Sequence, residues 1–298
     1  MGIVDRALEK IRQAQRPADA RAQTTGASSG SKLPTERRRS SPPVKSRKEH
    51  SVVSAQRIAV DQDRLSAAGL RAPPHEAWLI AEQYRQIKRP LIANASGRGN
   101  IPAANRHVIM VASAMPGEGK TFTAVNLAFS IASEKDVSVL LVDADVPKPQ
   151  ITKLFAPAES TGLLDALQDE TLDVESLILP TDTEGLSLLP VGRRHVNATE
   201  SLASERMRSL ITRLGERDPQ RIVLLDSPPL LLTTESRALA AVAGQVVLVV
   251  CAAQTAQQTL LDALSFLEGR TVALVLNQNT NVEPTGYYYG DEQLKPPG

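Results

Sequence analysis

The run Ser113-Ala-Met-Pro-Gly-Glu-Gly-Lys-Thr121 decides how the rest of the chain is read. It follows a branched apolar segment, Val108-Ile-Met-Val-Ala112, and opens a helical one, Phe122 to Ala132 (FTAVNLAFSIA). A glycine-rich turn in that setting lets successive backbone amides wrap a phosphate at a helix N-terminus. In the general pattern G-x-x-x-x-G-K-[ST], the lysine reaches the β- and γ-phosphates and the hydroxyl ligates Mg²⁺; here these roles fall on Lys120 and Thr121. Ala114 stands where that pattern has its first glycine. A glycine-rich loop can be a mere turn, but Lys-Thr between a strand and a helix predicts a nucleotide site.

Outward from this loop the chain alternates. Strand-like runs are predicted at 107–112, 137–142, 186–191, 221–225, 245–251 and 271–276, with helices near 120–133, 199–214, 234–243 and 256–268. Branched apolar strands spaced by helices imply an α/β fold, a mostly parallel sheet covered on both faces. Two of the strands end in acids: Val139-Leu-Leu-Val-Asp143-Ala-Asp145 and Arg221-Ile-Val-Leu-Leu-Asp226-Ser-Pro-Pro229. An acid after four apolar strand residues is poorly placed for solvent unless it faces a cleft, and ligands of open α/β sheets gather at the strands' carboxyl ends. Such carboxylates hold Mg²⁺ directly or through water, and one can accept a proton from an attacking hydroxyl. Asp145 either holds the ion or stands behind a residue that does. The alternative for each is a helix cap.

Composition bounds the rest. The 298 residues are 42% hydrophobic and carry 34 Lys+Arg against 33 Asp+Glu, which excludes a polyanion binder by composition. The single Cys251 excludes a disulfide framework and a multi-cysteine metal knuckle. No stretch approaches the roughly 20 apolar residues of a membrane span, and no apolar signal core follows Met1, so a cytoplasmic chain is expected. Charge is uneven: residues 1–60 hold thirteen basic and five acidic residues, leaving 21 basic and 28 acidic for the remainder. Residues 1–16 read as a short amphipathic helix, suited to a partner or a membrane surface or to neither. Residues 17–74 read as a disordered basic linker without aromatic platforms for bases. Residues 75–280 form the P-loop domain, and 281–298 a flexible tail holding Tyr287, Tyr288 and Tyr289. Within 75–95, Trp78, Ile80, Ala81, Tyr84, Ile87 and Leu91 form an apolar stripe, while Glu82, Arg85 and Lys88 share one charged ridge.

Taken together, these motifs resemble the bacterial tyrosine kinases of exopolysaccharide synthesis, which share the deviant P-loop fold of the Min/Par partition ATPases. The family's Ser-x-x-Pro-x-Glu/Asp-Gly-Lys-Thr/Ser is matched by Ser113, Pro116, Glu118, Gly119, Lys120 and Thr121. Its Asp-x-Asp-x-Arg is matched by Asp143 and Asp145, with Pro147 in place of the arginine, and its Asp-x-x-Pro by Asp226 and Pro229. Glu82, Arg85 and Lys88 are similar to the family's Glu-x-x-Arg-x-x-Arg oligomerisation helix, and the three tail tyrosines match its phosphorylated cluster. The opening MGIVDRALEKIRQ and the DSPPLLLTTE run look like the exosortase-associated branch.

The resemblance implies ATP bound by Pro116, Gly117, Glu118, Gly119, Lys120, Thr121 and Phe122, with Asn277 against the base. It implies Mg²⁺ held through Thr121, Asp145 and Asp226, Lys120 and Asp226 as catalytic groups, and Asp143 as base. It further implies transfer to a neighbour's tail in a ring-like homo-oligomer, activation by a membrane polysaccharide co-polymerase (a chain-length determinant), recruitment to the inner face of the cytoplasmic membrane, and no sequence-specific nucleic acid. Two rivals remain. One is a Min/Par-type ATPase switch, disfavoured because Met115 stands where partition ATPases carry a signature lysine. The other is a catalytically poor scaffold, kept open by Pro147.

Overall fold

A strand buried on both faces has to sit inside a covered sheet, and that is where the central runs lie. The computed structural model describes residues 57–195 and 197–279. Its seven strands are β1 (Val108–Ser113), β2 (Ser138–Asp143), β3 (Leu179–Pro180), β4 (Leu186–Leu189), β5 (Arg221–Asp226), β6 (Gln245–Cys251) and β7 (Thr271–Asn277). They pair in the order β3-β4-β2-β5-β1-β6-β7, parallel throughout except for the short β3 edge against β4. Alternation along β1 divides the core: Val108, Met110 and Ala112 pack with one face's cluster, Ile109 and Val111 with the other's. The register matters most at the carboxyl end. Asp143 of β2 lies directly opposite Asp226 of β5, and Asp226 pairs in turn with Val111 of β1, just before the glycine-rich loop.

The helices are α1 (Gln62–Ala67), α2 (Ala77–Ala95), α3 (Lys120–Ala132), α4 (Gln150–Phe155), α5 (Leu163–Gln168), α6 (Ala198–Leu202), α7 (Glu205–Glu216), α8 (Thr234–Val242) and α9 (Gln257–Ser265). Helix α3 runs from the loop across the sheet and is buried nearly all round. The single helix expected over 199–214 is two, because the Ser204 hydroxyl accepts from Met207 N at 3.2 Å and starts α7 afresh. The six-residue helices α1, α4 and α5 were not foreseen.

Three expectations change on this fold. The linker does not run to residue 74. Ile58 bridges to Thr181, Asp61 caps α1, and Val60, Leu65 and Leu70 are buried, so 57–71 is a strap across one face of the domain. Few apolar residues lie in this segment, yet each finds a prepared pocket. Secondly, Trp78 lies outside the packed stripe: it is 71% exposed, and α2 buries Tyr84, Lys88, Leu91 and Ala95 instead. Thirdly, the ridge is split. Glu82 and Arg85 pair with each other in solvent. Lys88 turns inward, donating to Ser130 O (2.5 Å) and Ser133 Oγ (3.0 Å) and pairing with Glu134 at 2.8 Å. Lys88 therefore holds α2 to the end of α3, because a buried ammonium requires partners on every side. It is not available to a neighbouring subunit. The helix at 1–16, the linker over 17–56 and the tail 281–298 lie outside the described residues.

Candidate active site

The loop after β1 takes its shape from two glycines and five hydrogen bonds. Gly117 and Gly119 hold φ of +85° and +94°, a region that only glycine adopts without strain. Ser113 Oγ donates to Met115 O at 2.8 Å. Glu118 Oε2 accepts from Met115 N at 2.9 Å, and Oε1 accepts from the Thr255 hydroxyl. That hydroxyl itself accepts Cys251 N at 3.0 Å, tying the loop to the end of β6. From the end of β7, Asn277 Nδ2 donates to Glu118 O at 3.0 Å and Gln278 Nε2 to Gly117 O at 3.3 Å. Among the described residues the amides of Gly117, Glu118 and Gly119 donate to no acceptor of the chain, so they are free for an anion. The Glu118 side chain thus braces the loop from behind, its carboxylate turned away from the ligand. Asn277 sits over Gly119, where a Cβ would fall on its amide nitrogen.

A cavity of about 590 Å³ opens in front of the loop. Pro116, Gly117, Lys120, Thr121, Phe122 and Asn277 line it together with Asp145, so the residues expected to meet the nucleotide share one wall. The lining also includes Pro147 and Lys148 after β2, Pro229 and Leu232 after β5, and Ala68 to Leu70 of the strap. The strap's contribution carries no motif and could not be read from sequence.

Beneath the cavity lies a cation among three acids. Lys120 Nζ is paired with Asp145, 3.3 Å from Thr121 Oγ1 and 3.8 Å from Asp226 Oδ1. Burial alone would lower the Lys120 ammonium, but Asp226, Asp145 and Asp143 outweigh it and raise the value. Asp143 is fully buried, and its Oδ2 accepts from Thr152 N at 2.7 Å. Its other oxygen and both oxygens of Asp226 are buried without a hydrogen-bond partner. Burial, then the neighbouring Asp226, pushes Asp143 up to about 7; burial, opposed by Lys120, brings Asp226 to about 6.

Three orphaned carboxylate oxygens beside a threonine hydroxyl and a phosphate-shaped loop suit a hard divalent cation. Among the described residues no cluster of three His, Cys, Asp or Glu side chains forms a metal cage. A Mg²⁺ that draws ligands from phosphate and water needs no such cage. Asp143 is buried and does not itself line the cavity.

The raised carboxylates set the sign of a pH effect. A group whose folded pKa exceeds its unfolded value near 4 binds more protons when folded, so stability falls as pH rises through that window and is level above about 7. In the absence of Mg²⁺, Asp143→Asn is therefore expected to gain stability relative to the unsubstituted chain between pH 5 and 7.5. Melting temperatures across that range check it: a difference constant with pH would show that Asp143 does not titrate in the window.

The wider comparisons agree with this architecture. A family model described as an AAA domain matches residues 106–281. The tyrosine-protein kinase YwqD of Bacillus subtilis is 28% identical over 218 residues, 71% of this chain and 87% of that protein. The succinoglycan biosynthesis transport protein ExoP of Rhizobium meliloti is 30% identical over 216 residues, 70% of this chain but 26% of its own length. Among solved structures, the BceF tyrosine kinase domain is 25% identical with a TM-score of 0.57, covering 73% of this chain and 86% of that one. The VpsO kinase domain is 27% identical with a TM-score of 0.56, covering 69% and 98%. The chain belongs to the bacterial tyrosine kinases built on a P-loop AAA domain.

Proposed function

We propose that the chain transfers the γ-phosphoryl group of ATP to the tyrosine cluster Tyr287, Tyr288 and Tyr289 of another copy of itself, and thereby regulates exopolysaccharide synthesis or export. The observation that supports this most is Lys120 held among Asp143, Asp145 and Asp226 at the end of a loop whose amides are free. In-line phosphoryl transfer requires positioning and offset charge more than covalent chemistry. The loop amides and Lys120 hold the β- and γ-phosphates. When bound, Mg²⁺ neutralises phosphate charge, with Thr121, Asp226 and Asp145 as the residues that hold it. Asp143, near 7, accepts the tyrosine proton at Oδ1, and Thr152 N fixes the other oxygen. Asn277 forms the wall on the side where the base enters.

Transfer between copies makes a head-to-tail contact that closes into a ring when the rotation permits, and Glu82 and Arg85 on exposed α2 supply polar groups for it. Phosphates on three adjacent tyrosines would then loosen that ring by repulsion. Among the described residues no helix is long and apolar enough to cross a membrane. A membrane polysaccharide co-polymerase serves as activator and recruits the chain to the inner face of the membrane. The exosortase-associated branch rests on the sequence runs that carry it.

A mixing experiment tests both the activity and its direction. A full chain with Tyr287, Tyr288 and Tyr289 all changed to Phe keeps the kinase site, while Lys120→Met keeps the tail. Phosphotyrosine is expected on the Lys120→Met chain only when both are present with Mg-ATP. ADP released without phosphotyrosine would favour the ATPase switch.

A further inference from the structure

Beyond the loop itself, the lining of the cavity includes residues whose composition the nucleotide does not explain. Leu232, in the turn after β5, is 59% exposed and lines the opening. Pro147 and Pro229 line the same cavity. An exposed leucine alone means little, but one completing an apolar collar at a cavity mouth has a partner to meet.

Beside the collar stands Lys148, exposed, lining the cavity, and without an ion pair among the described residues. Its backbone is pinned: Lys148 N donates to Asp145 Oδ1 at 3.1 Å and to Asp145 O at 3.0 Å. Arg194 reaches across from the loop after β4 and donates to Val146 O and, at 2.8 Å, to Pro147 O. The Lys148 backbone and the Arg194 guanidinium are thus held on one turn. The neighbouring Arg193 is already committed to Asp165 at 2.7 Å. The chain carries a segment with the matching order of chemistry: Tyr287-Tyr-Tyr-Gly-Asp291-Glu292, aromatic rings followed by two acids. From Tyr289 to Asp291 an extended chain spans about 7 Å, enough for a ring to occupy the opening while the carboxylates stay on the rim.

We propose that this rim is the acceptor seat: Leu232 and Pro147 pack against the tyrosine run, and Lys148, with Arg194 beside it, reads the carboxylates of Asp291 and Glu292. The site consequently selects tyrosines followed by acidic residues. The inference rests on the kinase reading above and adds to it the residues that choose the acceptor.

A charge exchange between full chains tests it. The donor is the triple Tyr→Phe chain, with Lys148 or with Lys148→Glu. The acceptor is the Lys120→Met chain, with its own tail or with Asp291→Lys and Glu292→Lys. The initial rate of phosphotyrosine formation is followed against acceptor concentration. Changing either side alone is expected to lower kcat/KM about tenfold, and less at high salt, because exposed charges are screened. Changing both is expected to recover at least threefold over the worse single change, a rescue that mere disturbance of the turn at Lys148 would not give. Equal rates on both tails with the Lys148 donor would overturn the proposal, as would a double change that only multiplies the two losses. In either case the kinase reading would stand. Absence of phosphotyrosine from the unaltered donor and tail would remove both.

Discussion

Lys120→Met is expected to abolish tail phosphorylation, with a loss of at least a thousandfold and a fold that survives in the presence of Mg²⁺. Lys120 is the cation that faces Asp145, Asp226 and Asp143 together, and in the proposed mechanism it is the group that places charge on the transferring phosphoryl. Donors aimed at developing charge are worth about 10²–10³ each, and a full charge in a buried site exceeds that. Its removal also leaves two or three buried carboxylates facing one another without compensation. The variant is therefore expected to unfold more readily at pH 8 without divalent cation and to regain stability when Mg²⁺ is added. Quantitative phosphotyrosine analysis beside thermal melting checks both halves. An active Lys120→Met chain would contradict the assignment of the site.

Gly119→Ala is expected to be the next most damaging change, although it adds a single methyl group. The residue's φ of +94° is strained for alanine, and the new Cβ falls on Asn277 Nδ2, whose bond to Glu118 O shapes the loop. Left-handed strain costs about 1–3 kcal/mol. The larger consequence is that Asn277 must leave, and with it one of the braces that hold the loop amides open. Nucleotide affinity is expected to fall about a hundredfold or more, while Gly117→Ala, where a Cβ meets nothing within 4 Å, loses less despite similar strain. Calorimetric titration with a non-hydrolysable ATP analogue ranks the two. Equal losses would show that backbone strain alone decides, and that the Asn277 contact contributes nothing.

These expectations draw on both sequence and structure, in different parts. The glycine-rich loop, the acids at 143, 145 and 226 and the central strands were legible because each signal is local: apolar runs of four or five residues end in a group that a core could not bury unpaired. The pairing of Asp143 with Asp226 was not, because it depends on the strand order that sets β5 beside β2. What escaped reading lacks a local signature. Thr255 and Thr152 act through a hydroxyl and a backbone amide brought in from other elements, and neither residue type stands out in its window. Arg194 reaches the turn at Pro147 across 47 residues of chain. Periodicity placed Lys88 on a helix face but could not show that Ser130, Ser133 and Glu134 wait beneath it. The strap escaped for a further reason: its three buried side chains are spread too thinly over 57–71 to make a period, and its order comes from pockets on the domain.

The central claim is that this site phosphorylates tyrosine, and intact-mass measurement of the full chain after incubation with Mg-ATP, followed by site mapping, tests it most directly. The account expects one to three added phosphates, all on Tyr287, Tyr288 and Tyr289, and none on the chain in which those three residues are phenylalanine. Unchanged mass accompanied by ADP, with a membrane co-polymerase fragment supplied, would contradict it and leave a nucleotide-driven switch in its place.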